Sequence, residues 1–402
     1  MSALRRIGPG LLVTAAFIGP GTVTTASKAG AGFGFALLWA VLFSVLATII
    51  LQEMAARLGI VSRQGLGEAV RSTFPHPAAR FLACGLIVAA IGFGNAAYQT
   101  GNVTGAAIGL AALTPYSLSN WAIAVGLAAF GLLATGVYKL IERVLIALVV
   151  LMSGLFVYTA VIVRPDLGDV FAGAFVPRIP DGSLMTVLAL IGTTIVPYNL
   201  FLHAASVREH WPETVPRDRA LAEARIDTVL AVAIGGAITA AIVITAAAAF
   251  FPGGSIGDAA DMARQLEPAL GRHATLLFSA GLFAAGLTSA VTAPLAAAYA
   301  VAGALGWPID LKSWRFRGVW FAVLATGTTL AATLGGSPAE TIVAAQVANG
   351  FLLPLIAVFL LAAVNRRGLM GGHANGVVAN VLGAAVLVVV VLVTVATRLP
   401  EW

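Results

Sequence analysis

The chain has 402 residues, of which 59% are hydrophobic and 10% are charged, and its formal net charge is +6. A soluble domain carries about 25% charged residues, so this composition excludes a water-soluble protein and indicates a multispanning membrane protein. The single cysteine, Cys84, excludes a disulfide framework and a cysteine metal cluster. Because the basic residues are spread over the connections between apolar runs, the positive charge does not indicate a nucleic-acid surface.

Apolar runs of about 20 residues, the length that a helix needs to cross a bilayer, recur along the whole chain. Transmembrane barrel strands would instead be short segments of alternating polarity. The sequence therefore predicts an all-α integral membrane protein in which residues 1–402 form a single transmembrane domain. The eleven predicted spans lie near 9–32, 35–58, 80–112, 119–136, 141–163, 183–206, 226–251, 273–305, 317–334, 340–364 and 375–397.

The distribution of basic residues predicts the orientation, because Lys and Arg accumulate on the cytoplasmic side of membrane helices. With a cytoplasmic N-terminus, seventeen of the 23 Lys and Arg residues lie on the cytoplasmic side, and the other six lie outside. We therefore expect a cytoplasmic N-terminus and an external C-terminus. Arg5 and Arg6 precede the first span, which we expect to remain as an uncleaved anchor because ten spans follow it. The Ala-, Gly- and Arg-rich composition favours a bacterial inner membrane.

Two spans contain helix-breaking sequences at corresponding depths. The first reads Ile18-Gly19-Pro20-Gly21-Thr22, and the second reads Thr193-Thr194-Ile195-Val196-Pro197-Tyr198-Asn199. Proline removes a backbone donor and clashes with the preceding turn, and peptide groups freed by such a break need protein or a water-filled cavity around them. We predict that helices 1 and 6 are unwound near the bilayer midplane. Proline kinks that only shape packing are the alternative.

The interrupted spans each open a group of five spans, at about 9–163 and about 183–364. An odd number of spans per half inserts the two halves with opposite orientation, which is the arrangement of an inverted repeat with a substrate site at the midplane. The last span, about 375–397, is then an additional helix.

The predicted substrate site lies at the two breaks, and neither break contains a carboxylate. Half-helix C-termini offer carbonyl groups to cations, and half-helix N-termini offer N–H groups to anions, so the backbone suits either sign of charge. The side chains at both breaks are neutral. The predicted substrate-binding residues are Gly19, Gly21, Thr22, Thr193, Val196, Tyr198 and Asn199.

Four further polar residues are predicted to line the pathway: Gln99, Asn102, His203 and Gln346. Gln99 and Asn102 are i,i+3 neighbours on one helix face, although polar contacts between helices are an equal alternative. His203 follows the second break and can carry a proton or act as a gate, although an interior histidine with satisfied hydrogen bonds is as reasonable. No nucleophile–base pair or phosphate loop is present, so we expect no enzyme, no cofactor and no resident metal.

Several segments resemble the NRAMP (natural resistance-associated macrophage protein) family of divalent-metal transporters. The resemblance covers most of the chain and implies the leucine-transporter-type fold, a 5+5 inverted repeat with alternating access. The similar segments are Gly8-Pro9-Gly10-Leu11-Leu12-Val13, Gly19-Pro20-Gly21-Thr22, Ala56-Arg57-Leu58-Gly59-Ile60-Val61, Val196-Pro197-Tyr198-Asn199-Leu200-Phe201-Leu202-His203, Gly281-Leu282-Phe283-Ala284-Ala285-Gly286, and Gln346 with Leu353-Pro354.

The functional positions depart from the pattern of that family. Its first-helix motif is Asp-Pro-Gly-Asn, in which the Asp and Asn bind metal, and Gly19 and Thr22 stand at these positions. Its sixth helix has a metal-binding Met before the proline and a His after it, where this chain has Val196 and Tyr198. The acidic residues of its third helix, which are linked to proton movement, correspond to the stretch that contains Gln99 and Asn102.

The missing ligands determine the predicted substrate. A dehydrated divalent cation needs charged ligands, and a soft metal prefers sulfur or imidazole to hydroxyl groups. The sequence therefore predicts a secondary transporter of a small inorganic ion, first of all a small anion such as bicarbonate. The alternative is a divalent cation, Mg²⁺ or Mn²⁺, and a non-transporting sensor is a third possibility. The expected partners are this ion, the lipid bilayer and a coupling ion, H⁺ or Na⁺, that the sequence leaves open.

Overall fold

The structure, a computed structural model, describes residues 18–135 and 139–398. Every regular element in these two ranges is helical, in agreement with the predicted all-α class. Two short 3₁₀ turns, Gly271–His273 and Gly371–His373, accompany the α-helices. The α-helices are α1 (Pro20–Phe33), α2 (Leu38–Ser62), α3 (Leu66–Thr73), α4 (Pro77–Ala111), α5 (Leu118–Thr135), α6 (Lys139–Ile162), α7 (Leu167–Phe175), α8 (Leu184–Thr194), α9 (Pro197–His210), α10 (Arg217–Phe250), α11 (Ala259–Arg264), α12 (Glu267–Leu270), α13 (Ala274–Leu305), α14 (Trp314–Thr333), α15 (Pro338–Val364), α16 (Arg367–Met370) and α17 (Val377–Ala396).

The described helices correspond to the predicted spans in order. By length and composition, nine helical segments in the described ranges are able to cross a membrane, and the α8–α9 pair counts as one of them. The predicted ninth span, α14, is not among the nine, and the first span is described only from residue 18 onward. The number of eleven spans therefore stays a prediction.

The segment 207–225 differs most from the prediction, which treated it as a connector. Helix α10 begins at Arg217, about nine residues before the predicted start of its span. Asp218 lies in its first turn, where a negative charge is favourable. Arg219 and Glu223, one turn apart, form an ion pair of 2.8 Å. These local interactions extend the helix beyond the apolar run by which the span was located.

The packing of the helices supports the inverted repeat. Helix α1 packs against α10, and α2 packs against α9. In an inverted repeat, α1 corresponds to α9, since both belong to interrupted spans, and α2 corresponds to α10, since both follow them. The pairing of α1 with α10 is therefore the counterpart of the pairing of α9 with α2. Helices α4 and α13, the third spans of their halves, also pack along each other. The repeat boundaries at 9–163 and 183–364 stay predictions.

A polar cluster connects α2 with the segment after α15. Glu53 forms ion pairs with Arg57 (3.2 Å) and with Arg225 of α10 (3.0 Å). Arg57 also donates hydrogen bonds to the carbonyl of His373 and to Oδ1 of Asn375, both at 2.6 Å. The i,i+4 spacing of Glu53 and Arg57 therefore serves a structural contact.

Candidate substrate site

The second break lies between α8 and α9, as predicted, but it is narrow. Only Ile195 (φ −97°, ψ 70°) and Val196 (φ −73°, ψ 120°) depart from helical geometry between them. Pro197 occupies the first position of α9, where its fixed φ is favourable and its missing N–H costs nothing. A residue before proline is sterically driven to extended geometry, which accounts for Val196.

Four of the residues assigned to the second break are helical, which corrects its predicted extent. Thr193 and Thr194 form the last turn of α8, and Tyr198 and Asn199 lie in the first turn of α9. Intrahelical hydrogen bonding continues up to Ile195, whose N–H donates to the carbonyl of Ile191 at 2.8 Å.

The first break is described on one side. Gly19 is extended (φ −87°, ψ 174°), and α1 begins with Pro20 at its first position. The part of the predicted span before Ile18 lies outside the described residues, so the unwinding of helix 1 is described only from Ile18 onward. Helix α4 covers the start of α1 closely, since a Cβ atom at Gly105 would clash with Pro20.

Two side-chain contacts bring the breaks and α15 together. The hydroxyl groups of Thr22 and Thr193 lie 3.0 Å apart and share a hydrogen bond. The carboxamide of Gln346 lies directly over Gly21, where a Cβ atom would be 2.8 Å from its Oε1. Gly21 therefore leaves the space that Gln346 occupies. The structure thus places four of the sequence-predicted residues in one cluster.

Tyr198 and Asn199 are fully buried beside the second break. The Tyr198 ring meets Tyr98 of α4 edge to face, with centroids 5.3 Å apart. Neither Oδ1 nor Nδ2 of Asn199 has a hydrogen-bond partner within the described ranges. Buried polar groups are nearly always hydrogen-bonded, so this carboxamide next to a helix break is a candidate ligand contact.

Helix ends of both polarities meet at the breaks. Helices α1 and α9 present N-termini that no side chain caps, and α8 presents its C-terminus. First-turn N–H groups and last-turn carbonyl groups have no intrahelical partners. The backbone therefore offers donors to an anion and acceptors to a cation.

The interior around the breaks carries almost no ionisable side chain. Among the residues whose side chains the structure describes, which leaves out Lys139 and Glu142, no Asp, Glu or Lys is buried, and the buried cationic or imidazole side chains are Arg57 and His203. The same residues contain no group of three or more His, Cys, Asp or Glu that could hold a metal ion. A substrate at the breaks would meet neutral side chains and peptide groups.

The predicted pathway residues make contacts typical of packed helices. Nε2 of Gln99 donates to the carbonyl of Ala290 at 3.0 Å, and Nδ2 of Asn102 donates to Oε1 of Gln99 at 3.4 Å. Nε2 of His203 lies 3.1 Å from Oγ1 of Thr228 in α10. The contacts of Gln99 and Asn102 agree with the structural alternative. His203 agrees with it only in part, because its buried Nδ1 has no hydrogen-bond partner within the described ranges. A part in a pathway stays a prediction for all three.

Sequence reasoning missed a buried polar network beside the middle of α1. Nε2 of Gln265 donates to Oγ of Ser27 at 2.8 Å, and Oγ1 of Thr245 donates to Oε1 of Gln265 at 3.2 Å. Gln265 is fully buried although the sequence placed it in an extramembrane segment. The signal was the apolar spacing of Met262, Ala263 and Leu266 around it.

Comparisons with known proteins agree with this architecture. The family model described as "Natural resistance-associated macrophage protein-like" (Nramp) matches residues 10–399. A protein named divalent metal cation transporter MntH, from Pectobacterium carotovorum subsp. carotovorum, is 30% identical over 400 residues, which cover 96% of this chain and 92% of the relative.

Two solved structures are similar in fold. The Eremococcus coleocola manganese transporter, in complex with an aromatic bis-isothiourea substituted compound, has a TM-score of 0.78 at 22% identity and covers 97% of this chain and 85% of its own. Mhp1, a nucleobase-cation-symport-1 family transporter, has a TM-score of 0.55 at 16% identity and covers 98% and 94%. The predicted leucine-transporter-type fold is confirmed by these neighbours. Because the family model spans nearly the whole chain and the MntH relative is 30% identical along it, the chain belongs to the Nramp family of membrane transporters.

Proposed function

We propose that this chain is a secondary transporter that moves a divalent metal cation, Mg²⁺ or Mn²⁺, across the membrane by alternating access. The support for the cation is the match over 96% of the chain to a relative named for divalent metal cation transport. A manganese transporter is also among the structural neighbours. The comparisons give no support to bicarbonate, which the sequence analysis placed first, and they fit the cation alternative better.

The site can accept a hard cation through uncharged oxygen atoms. Oδ1 of Asn199 and Oε1 of Gln346 have no hydrogen-bond partner within the described ranges, and the hydroxyl groups of Thr22 and Thr193 lie at the same breaks. Mg²⁺ usually keeps several of its water ligands when proteins bind it, so few direct ligands are needed. The unpartnered oxygen of Asn199 is the observation at the site that carries this proposal.

The remaining predicted residues have subsidiary parts in the proposal. The backbone of Gly19, Gly21 and Val196 would contact the ion or its water shell, and Tyr198 would close one side of the site. Gln99, Asn102 and His203 would line the route to it. The coupling ion, H⁺ or Na⁺, is left open.

A small oxyanion is the second candidate, because of one observation. The uncapped N-termini of α1 and α9 begin at the two breaks, and no carboxylate is buried among the described residues. Helix N-termini bind anions through free N–H groups and the helix dipole. The absence of carboxylates from the two breaks, on which the sequence-based prediction of an anion rested, favours the oxyanion as well.

Ion flux into proteoliposomes distinguishes the candidates. We expect Mn²⁺ or Mg²⁺ to enter protein-containing vesicles faster than empty ones, and bicarbonate to enter both at the same rate. Bicarbonate flux without metal flux would show that the substrate is the anion and not the cation. Binding of either ion without flux of any ion would indicate a sensor rather than a transporter.

Asn199→Ala tests the site itself. Loss of one ligand to a charged ion is worth about 1.5–3 kcal/mol, so we expect ion affinity to fall about tenfold or more in calorimetric titration. The folded protein loses no hydrogen bond, because the Asn199 side chain makes none within the described ranges. Thermal stability should therefore change little. Asn120→Ala, at an exposed position of α5, is the matched control, and equal affinities for both variants would remove Asn199 from the site.

The placement in the membrane is part of the proposal. We place the N-terminus in the cytoplasm and the C-terminus outside, in a bacterial inner membrane, with repeats at about 9–163 and 183–364 and an additional helix at 375–397. The distribution of Lys and Arg supports the orientation. The symmetry-related pairings of α1 with α10 and of α2 with α9 support the repeats.

A further inference from the structure

An open cleft lies at one end of the molecule, away from the helix breaks. It has a volume of about 470 Å³ and lies between α3, the start of α4 and the end of α13. Its lining includes Gln64, Arg71, Ser72, Arg80, Gly303 and Gly306. The distribution of Lys and Arg predicts that this end faces the cytoplasm.

Backbone carbonyl groups position both arginine side chains of the cleft. Arg71 donates to the carbonyl of Leu305 at 2.9 Å and lies against Gly306, where a Cβ atom would be 2.6 Å from its Cζ. Arg80 donates to the carbonyls of Phe74 (3.2 Å) and Pro75 (2.9 Å). Gly306 has a φ of +70°, which glycine adopts without strain, and its missing side chain leaves room for Arg71.

The positive charge of the cleft is not neutralised by a carboxylate. Within the described ranges, neither Arg71 nor Arg80 forms an ion pair. Glu68 also lines the cleft, but its Oε2 lies 3.2 Å from Nη1 of Arg208 and accepts the N–H of Gly65 at 2.8 Å. A guanidinium has five donors, so each arginine keeps free N–H groups for an anion.

The surface beside the cleft is apolar and exposed. Phe81 and Leu82, which follow Arg80 in the first turns of α4, are 83% and 62% exposed, and Phe93 further along the helix is 81% exposed. Helix α4 is long and apolar enough to cross a membrane. Lipid chains would cover this face, so the cleft lies where the bilayer surface meets the protein.

We propose that the cleft lined by Arg71 and Arg80 binds the phosphate headgroup of an anionic glycerophospholipid, whose acyl chains lie along Phe81, Leu82 and Phe93. Basic pockets at the cytoplasmic side of membrane helices have the chemistry to bind such headgroups. A lipid fits better than a free anion, because the exposed apolar side chains of Phe81 and Leu82 directly follow Arg80 in α4.

Native mass spectrometry of the delipidated full chain, with phosphatidylglycerol or phosphatidylcholine added back, tests the proposal. We expect tighter binding of phosphatidylglycerol, and roughly tenfold to thirtyfold weaker binding after Arg71→Gln/Arg80→Gln. The matched control is Arg217→Gln/Arg317→Gln, which removes the same charge from exposed positions at the same predicted end. This control should change affinity less than twofold, and equal losses in both double variants would overturn the proposal.

Two further measurements keep the test decisive if the double variant does not fold. Ser72→Trp fills the cleft and keeps both arginines, so it should weaken phosphatidylglycerol binding as well, and unchanged binding would contradict the proposal. Inorganic phosphate tests the source of the anion. Displacement of the lipid from the wild-type chain by phosphate at comparable concentration would show that the cleft binds a free anion instead.

Discussion

At the scale of single residues, the hydroxyl pair of Thr22 and Thr193 forms a direct side-chain hydrogen bond between the two break regions. The oxygens lie 3.0 Å apart, and both side chains are buried. A buried hydroxyl that loses its partner costs about 1–3 kcal/mol. The pair therefore stabilises the contact between α1 and α8 where the substrate site is proposed.

Thr22→Val should lower the thermal stability and the ion flux together. Valine has nearly the shape of threonine but cannot bond to Thr193, and the free-energy loss should be about 1–3 kcal/mol. Thr24→Val in the same helix is the matched control, because the buried Thr24 hydroxyl has no partner in the described chain. Thermal unfolding in detergent measures both variants, and equal stabilities would show that the hydroxyl pair contributes nothing.

At the scale of elements, the approach of α8 to α15 places Gln346 at the breaks. A Cβ atom at Gly192 would clash with the carbonyl oxygen of Gln346 and lie 2.6 Å from the N atom of Gly350. A Cβ atom at Gly350 would in turn lie 2.6 Å from Leu188 Cδ1. Small residues permit such close helix contacts in membranes.

Gly192→Ala should separate α8 from α15 and move Gln346 away from Gly21. The obstructing atoms belong to the backbone and cannot rotate away, so we expect a loss of about 1–3 kcal/mol or more and a strong fall in transport. Gly154→Ala in α6, where a Cβ atom meets nothing within 4 Å, should be neutral or slightly stabilising. Fluorescence-detected size-exclusion chromatography after heating compares the variants, and wild-type stability of Gly192→Ala would contradict the tight contact.

At the scale of the whole molecule, the proposed orientation rests on the distribution of charge. Seventeen of the 23 Lys and Arg residues lie on one side of the predicted topology. The polar cluster of Glu53, Arg57 and Arg225 and the arginine-lined cleft both lie on this side. Because Lys and Arg accumulate on the cytoplasmic side of membrane proteins, this asymmetry predicts a cytoplasmic N-terminus.

Maleimide labelling of single cysteines tests the proposed orientation. In a Cys84→Ser background, Asp181→Cys should react with a membrane-impermeant maleimide in right-side-out vesicles, and Glu213→Cys should react only in inverted vesicles. Both positions are exposed, so accessibility to reagent depends on the side of the membrane. The opposite labelling pattern would reverse the proposed topology.

The sequence was sufficient for the features with local causes. Apolar run length predicted the helical class and the order of the described spans. Pro197 marked the break in the sixth span, where it removes a backbone donor and drives Val196 out of helical geometry, whereas Pro294 and Pro354 lie within continuous helices. The segments around Gly19-Pro20-Gly21-Thr22 and Val196-Pro197-Tyr198 were enough to indicate the family. The anion prediction, in contrast, relied on side-chain charge at a few positions and gave less weight to carbonyl groups and to the waters that a hard cation keeps.

Only the tertiary structure decided which of these residues meet. It placed the Gln346 carboxamide over Gly21, joined the hydroxyl groups of Thr22 and Thr193, and buried Gln265 beside Ser27 of α1. It also directed Gln99 to Ala290 and left Asn199 without a partner in the described chain. Helix formation and breaking depend on neighbours in sequence, whereas these contacts depend on how closely helices far apart in sequence approach, which small residues such as Gly192 determine only once the partner helix is in place.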